Sequence, residues 1–170
     1  LVSPGRPLPT ARVVGETRWV RDGLGRVVRV EQTQVGQHQP GVLWQAVYGD
    51  PRWPDHPTRV SRPSVQPGLW QHTDWVYNGH AQVLRVAETG HSPLDTTPLV
   101  RATAYRYQQV NGRSVLVAVD GPLPNGPLGD NRDSDVTGIA WDPQGHAPTS
   151  LSRPGRAPAS VDALHPCGHG

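Results

Sequence analysis

Between residues 17 and 30 the chain alternates, pauses and alternates again. Trp19 and Arg21 fall on one side of an extended segment, Val20 and Asp22 on the other, the two-residue period of a strand. Asp22-Gly23-Leu24-Gly25 follows with turn chemistry: Asp can accept from its own backbone two residues on, and Gly accepts positive φ. Arg26 to Val30 then reads as a returning strand, so the segment predicts a β-hairpin.

The pattern recurs. Thr73 to Val86 aligns with Thr17 to Val30 without a gap, 56 residues later, with Thr, Trp, Val, Gly, Val, Arg and Val identical. Asn78 stands over Asp22, and Gly79 over Gly23. A third copy spans Thr103 to Val117, with Tyr105 in place of Trp19 and Gly112-Arg113 over Gly25-Arg26; one extra residue is assigned to its turn. A fourth spans Ile139 to Leu151, with Trp141, Asp142 and Gly145 over the turn. A more divergent unit lies between the first two, Leu43 to Val60, with Tyr48-Gly49-Asp50 and a longer Pro-rich loop. The residues leading into the turns are Arg21, Tyr48, Tyr77, Tyr107 and Trp141, separated by 27, 29, 30 and 34. A period near 30 signals a repeat architecture. Linkers such as Pro40-Gly41, Pro67-Gly68 and Pro122-Leu123-Pro124-Asn125-Gly126 join the units.

A lone hairpin is marginal in water, so neighbouring hairpins must pair edge to edge. The fold class expected is all-β: consecutive hairpins forming one curved, twisted antiparallel sheet. Trp19, Trp75 and Tyr105 should then occupy equivalent points of successive hairpins. The expected organisation is a flexible segment over 1–12, the repeat sheet over 13–152, and a disordered tail rich in Pro, Gly and His over 153–170.

Composition agrees with the strand reading. The apolar residues are mostly Val, Leu, Trp and Tyr, with no Phe or Met and a single Ile, Ile139. Nineteen Gly and nineteen Pro leave no room for long helices. Apolar content of 35% is thin for a compact core. All 16 basic residues are Arg, spread along the chain against 14 acidic ones, and the unclustered net charge of +2 argues against nucleic acid as a partner. No stretch approaches the apolar run of about 18 residues that a membrane span needs. The missing Met predicts that the chain is a fragment or a processed product. One cysteine, Cys167, forms no intrachain disulfide.

The pattern aromatic-Asp-x-x-Gly-Arg, followed by an alternating strand, resembles the YD repeat of Rhs proteins. Arg21-Asp22-Gly23-Leu24-Gly25-Arg26-Val27 matches it best, with Arg21 where the family usually has Tyr. Tyr77-Asn78-Gly79-His80-Ala81-Gln82-Val83 departs by Asn for Asp and Ala for Gly, and Trp141 to His146 by Trp for Tyr and His for Arg. The resemblance covers about residues 16 to 152. It implies a segment of a hollow shell built from a spiralling β-sheet, of the kind that encloses a toxic C-terminal domain delivered to competing bacteria; related shells occur in insecticidal toxin complexes and teneurins. The self-cleavage motif that precedes such toxins is not found, so the resemblance implies casing wall, with no catalytic residues and no cofactor. The partners it implies are the rest of the shell, the enclosed toxin and secretion machinery, at the cell exterior.

Other chemistry is weakly represented. Gly129-Asp130-Asn131-Arg132-Asp133-Ser134 resembles a box of type I signal peptidases, whose Ser needs a Lys base, and the chain has no Lys. A solvated loop is the expectation there. His165, Cys167 and His169 crowd three potential zinc ligands into five residues, but a closed site needs four, with His146 or His91 conceivable as the fourth. A tail is the simpler reading. Carbohydrate binding is the alternative function: Trp44, Trp53 and Trp70 fall outside the phased positions and could stack on sugar rings, whereas Trp19 and Trp75 are expected to pack. A hydrolase on a β scaffold is a further alternative, since paired carboxylates need only proximity. Glu16, Glu31 and Glu88 are the only glutamates, and no nucleophile elbow is present.

Overall fold

The computed structural model describes residues 15–36, 39–123 and 135–161. They form a single antiparallel sheet of eleven strands that run side by side in sequence order, with no crossover. The hairpin pairs are β1 (Gly15–Arg21) with β2 (Val27–Gln34), β3 (Gly41–Val47) with β4 (Arg59–Pro63), and β5 (Trp70–Tyr77) with β6 (Val83–Ser92). Next come β7 (Asp95–Val110) with β8 (Arg113–Asp120), and β9 (Thr137–Trp141) with β10 (Pro148–Ser152). The sheet continues past residue 152: Arg153 to Arg156 turn the chain and β11 (Ala159–Ser160) pairs with β10. Among the described residues there is no helix, and none long and apolar enough to cross a membrane. Residues 1–12 and 162–170 lie outside the described residues, as do Gly129–Ser134, His165, Cys167 and His169.

The repeat phase is a break in register. In four of the five hairpins the strands pair without slip up to one residue before the turn-leading position, where the returning strand carries an extra residue; β3 and β4 pair through Val47–Arg59 with no slip. The slip falls between Val20 and Arg21, between Val76 and Tyr77, and between Arg106 and Tyr107. In the last hairpin Trp141 faces Pro148 while Ala140 already faces Ser150. A bulge raises local twist and bends the strand. Repeating it at one point of four of the five hairpins adds twist in the same sense along the sheet.

Two residues before each bulge lies a fixed cross-strand pair. Trp19 faces Val30, Trp75 faces Val86 and Tyr105 faces Val119. Ala46–Val60 and Ile139–Leu151 occupy the same place in the other two hairpins. Such aromatic–β-branched pairs contribute roughly 0.2–1 kcal/mol each. Among the described residues buried side chains are few: Ala46, Tyr77, Ala87, Val115 and Ala118 are the buried hydrophobics, and none falls below 2% exposure. One layer has nothing to pack against, which is why an apolar content of 35% suffices. Trp19, expected to pack, is 60% exposed on β1, the edge strand of the described sheet.

The third sequence copy is built differently from its expected form. Tyr107 sits inside β7 opposite Leu116, and the strands run on through Gln108–Val115, Gln109–Ser114 and Val110–Arg113. The reversal is the two residues Asn111 (φ 47°) and Gly112 (φ 75°). Left-handed conformation at both central residues is the type I′ turn, whose twist matches the strands. The hairpin is thus lengthened by three residue pairs; its turn carries no insertion.

Candidate functional site

Two kinds of site emerge, one that joins hairpins and one that faces the solvent. The joints begin in the turns. Asp22 accepts from the backbone NH of Leu24 (2.9 Å) and of Arg26 (3.1 Å), while Arg26 Nε donates to its other carboxylate oxygen (2.7 Å). Asn78 repeats the arrangement: its Oδ1 accepts from His80 N (2.8 Å) and Gln82 N (3.0 Å), and its amide donates to Gln82 Oε1 (2.8 Å). Asp142 accepts from His146 N (2.7 Å). The left-handed position is Gly25 (φ 79°), Ala81 (φ 59°) and Gly145 (φ 67°) in turn. Gly145 is required twice over, since a Cβ there would also lie 3.1 Å from Val110 O. The hydrogen bond from Arg26 holds the Asp22 carboxyl below its ordinary 3.8, and backbone donation from His146 does the same for Asp142.

The turns are then tied to their neighbours. Three of the four turn-leading aromatics reach back to the preceding hairpin: Tyr48 Oη donates to Val27 O (3.3 Å), Tyr77 Oη to Pro57 O (2.8 Å) and Trp141 Nε1 to Leu116 O (2.7 Å). The fifth turn residue reaches forward: Arg26 donates to Pro54 O, and Gln82 Nε2 to Ser114 O (3.3 Å) while accepting from Ser114 Oγ (2.8 Å). Arg26 also stacks on Tyr48, 4.3 Å from the ring centre. Trp53 Nε1 donates to Asn78 O (2.9 Å), and His56 lies edge-on between Trp53 and Tyr77. Burial of Tyr77 in this cluster pushes its phenol pKa up. The repeat-motif residues are therefore placed where they knit each hairpin to the next along one rim.

The solvent-facing site is on the sheet. Alternation puts Trp19, Trp75, Tyr77, Tyr105 and Tyr107 on one face, and a cavity of about 650 Å³ opens there across β4 to β7. The volume is half open to solvent, with Arg62, Glu88, Leu99 and Arg101 of its lining exposed, and a single sheet holds it by curving toward this face. Val60, Thr73, Glu88 and Arg101 follow one another across the four strands. In the neighbouring row Arg62 faces Gln71, and Gly90 faces Leu99. Gly90 opens the floor: a Cβ there would meet nothing within 4 Å. Trp75 and Val86 close the end.

The opposite face carries two ion pairs and a shared hydrogen bond. Arg59 grips Asp74 through two bonds (2.5 and 3.1 Å), and Arg29 lies 2.8 Å from the buried Glu31. Ser61 and His72 share a hydrogen bond of 2.8 Å.

The remaining sequence candidates do not converge. Trp44 faces Val30 on the concave side, Trp70 faces Pro63 on the other, and the Trp53 indole NH is engaged at the rim, so no shared stacking platform forms. His146 lies in a rim turn, whereas His91, in β6, shares a hydrogen bond of 3.0 Å with Ser64. Among the described residues no three His, Cys, Asp or Glu side chains gather as a metal needs. Glu88 is the one carboxylate lining the cavity, so paired carboxylates do not meet there. Compared with known proteins, the chain matches no family model and no curated protein.

Proposed function

We propose that the chain is a wall segment: a strip of curved β-sheet that bounds a space and acts sterically, as the resemblance to the Rhs/YD-repeat shell implies. The observation that carries the reading is the joint chemistry. An isolated domain closes its sheet or covers it with a second layer. This chain spends its polar and aromatic side chains on linking each hairpin to the next, while among the described residues the sheet stays open at both edges. That arrangement suits extension by further units of the same kind. The cargo would be a polypeptide held on the concave side.

Electron microscopy of the full-length protein tests this. The wall reading expects a hollow particle whose sheet continues through residues 15–161. A solid particle, or one in which these residues form a detached domain, overturns it.

A further inference from the structure

The concave cavity gathers two arginines, from β4 and β7, about one space. Elsewhere Arg26, Arg29, Arg52 and Arg59 each engage a carboxylate, whereas Arg18, Arg85, Arg106 and Arg113 form no ion pair among the described residues. Arg62 and Arg101, which line it, have no ion-pair partner among the described residues, although Glu88 faces Arg101 directly in register. Two guanidiniums thus stand against one carboxylate in a concavity of about 650 Å³, within the usual range of ligand sites. Three strand spacings separate β4 from β7, about 14 Å, so the two cations flank the opening, with the bare Gly90 floor between them. The walls between are aliphatic: Val60, Val86 and Leu99, with Trp75 at one end.

We infer that this cavity binds an acidic, partly apolar peptide segment, its carboxylates taken by Arg62 and Arg101 and its aliphatic side chains seated over Gly90 against Leu99 and Val60. Guanidinium forks suit carboxylates and bind them more strongly than neutral acceptors. The three aliphatic walls favour a peptide over an acidic polysaccharide, which would present hydroxyls to them. The inference deepens the wall reading, by naming what the inner face holds, and rests on it only in taking the concave side as the working surface.

The test uses fluorescence anisotropy with a labelled hexapeptide alternating Glu and Leu, a Lys/Leu counterpart, and an oligomer of a hexuronic acid. The expected result is binding of the Glu/Leu peptide alone, weakening as salt rises. Arg62→Gln and Arg101→Gln should each weaken it about tenfold, the loss of one charge-assisted contact. Gly90→Val should abolish it by filling the floor, with the melting temperature unchanged because nothing meets its Cβ. Equal binding of both peptides, binding of the hexuronic acid oligomer instead, no peptide binding, or indifference to Gly90→Val overturns the inference. Loss of peptide binding leaves a hollow particle in the microscope untouched, and a solid particle leaves a Gly90-dependent peptide complex untouched, so the two readings fail separately.

Discussion

Ala81 holds a backbone conformation that Cβ-bearing residues avoid, and it does so because Asn78 fixes the turn around it. The left-handed region costs a non-Gly residue roughly 1–2 kcal/mol, part of which Gly gives back as chain entropy. Ala81→Gly should therefore raise stability by about 0.5–1 kcal/mol, and Gly25→Ala at the matching site should lower it by about 1 kcal/mol, both read by urea unfolding. The two turns also differ in charge. Asp22 is held below its ordinary 3.8 chiefly by the hydrogen bond from Arg26, whereas Asn78 does not titrate. A carboxyl with a lowered folded pKa contributes stability that is present above 3.8 and is lost as pH falls through the lowered value. Asp50, Asp95 and Asp142 are lowered likewise, Asp50 by Arg52 and Asp95 by the Thr97 backbone NH. Unfolding midpoints should thus drop as pH is taken from 5 to below 3.8, and less steeply in Asp22→Asn; a midpoint flat across that range would contradict the turn chemistry.

At the scale of the hairpin, the joints matter more than the strands. Tyr77→Phe removes the donor that a buried phenol gives to the half-buried Pro57 O, so it should cost about 1–2 kcal/mol. The exposed Val76→Thr, one residue away, should stay within about 0.5 kcal/mol. Comparable urea midpoints for the two variants would mean that the joints are incidental. Much of this level is readable in the sequence. The Asp22–Arg26 copy carries its turn in its residue types, and the spacing of Arg21, Tyr77, Tyr107 and Trp141 marks the bulges. The turn after Tyr107 was misplaced because the aromatic phase was followed past Asn111-Gly112, itself the strongest short hairpin signal. The tie from Trp53 to Asn78 spans 25 residues, and no local pattern foretells it. The cavity was hidden for a related reason. Alternation assigns Arg62, Gly90 and Arg101 to one face, but only the curvature of the sheet brings them round a common space.

At the scale of the molecule, the described residues form a ribbon of hairpins with no second layer. Among them the two edge strands, β1 and β11, offer unpaired backbone groups, and β1 adds Trp19 at 60% exposure. The protein should therefore associate with rising concentration, and Trp19→Lys should suppress this in sedimentation experiments. A Trp19→Lys protein that associates like the parent would place the contact elsewhere. The central claim is that the hairpins lie side by side in sequence order in an open sheet. Pulsed electron-spin distances test it most directly, with Cys167→Ser as background and one label at Thr17 on β1. Partner labels on β5, β7 and β10 sit four, six and nine strand spacings away, about 19, 29 and 43 Å along the sheet. The account predicts that the distance from Thr17 to β7 exceeds that to β5, and that β10 stays more than about 20 Å away. A β10 distance shorter than the β5 distance, as a closed barrel or a folded-over sandwich requires, would contradict it.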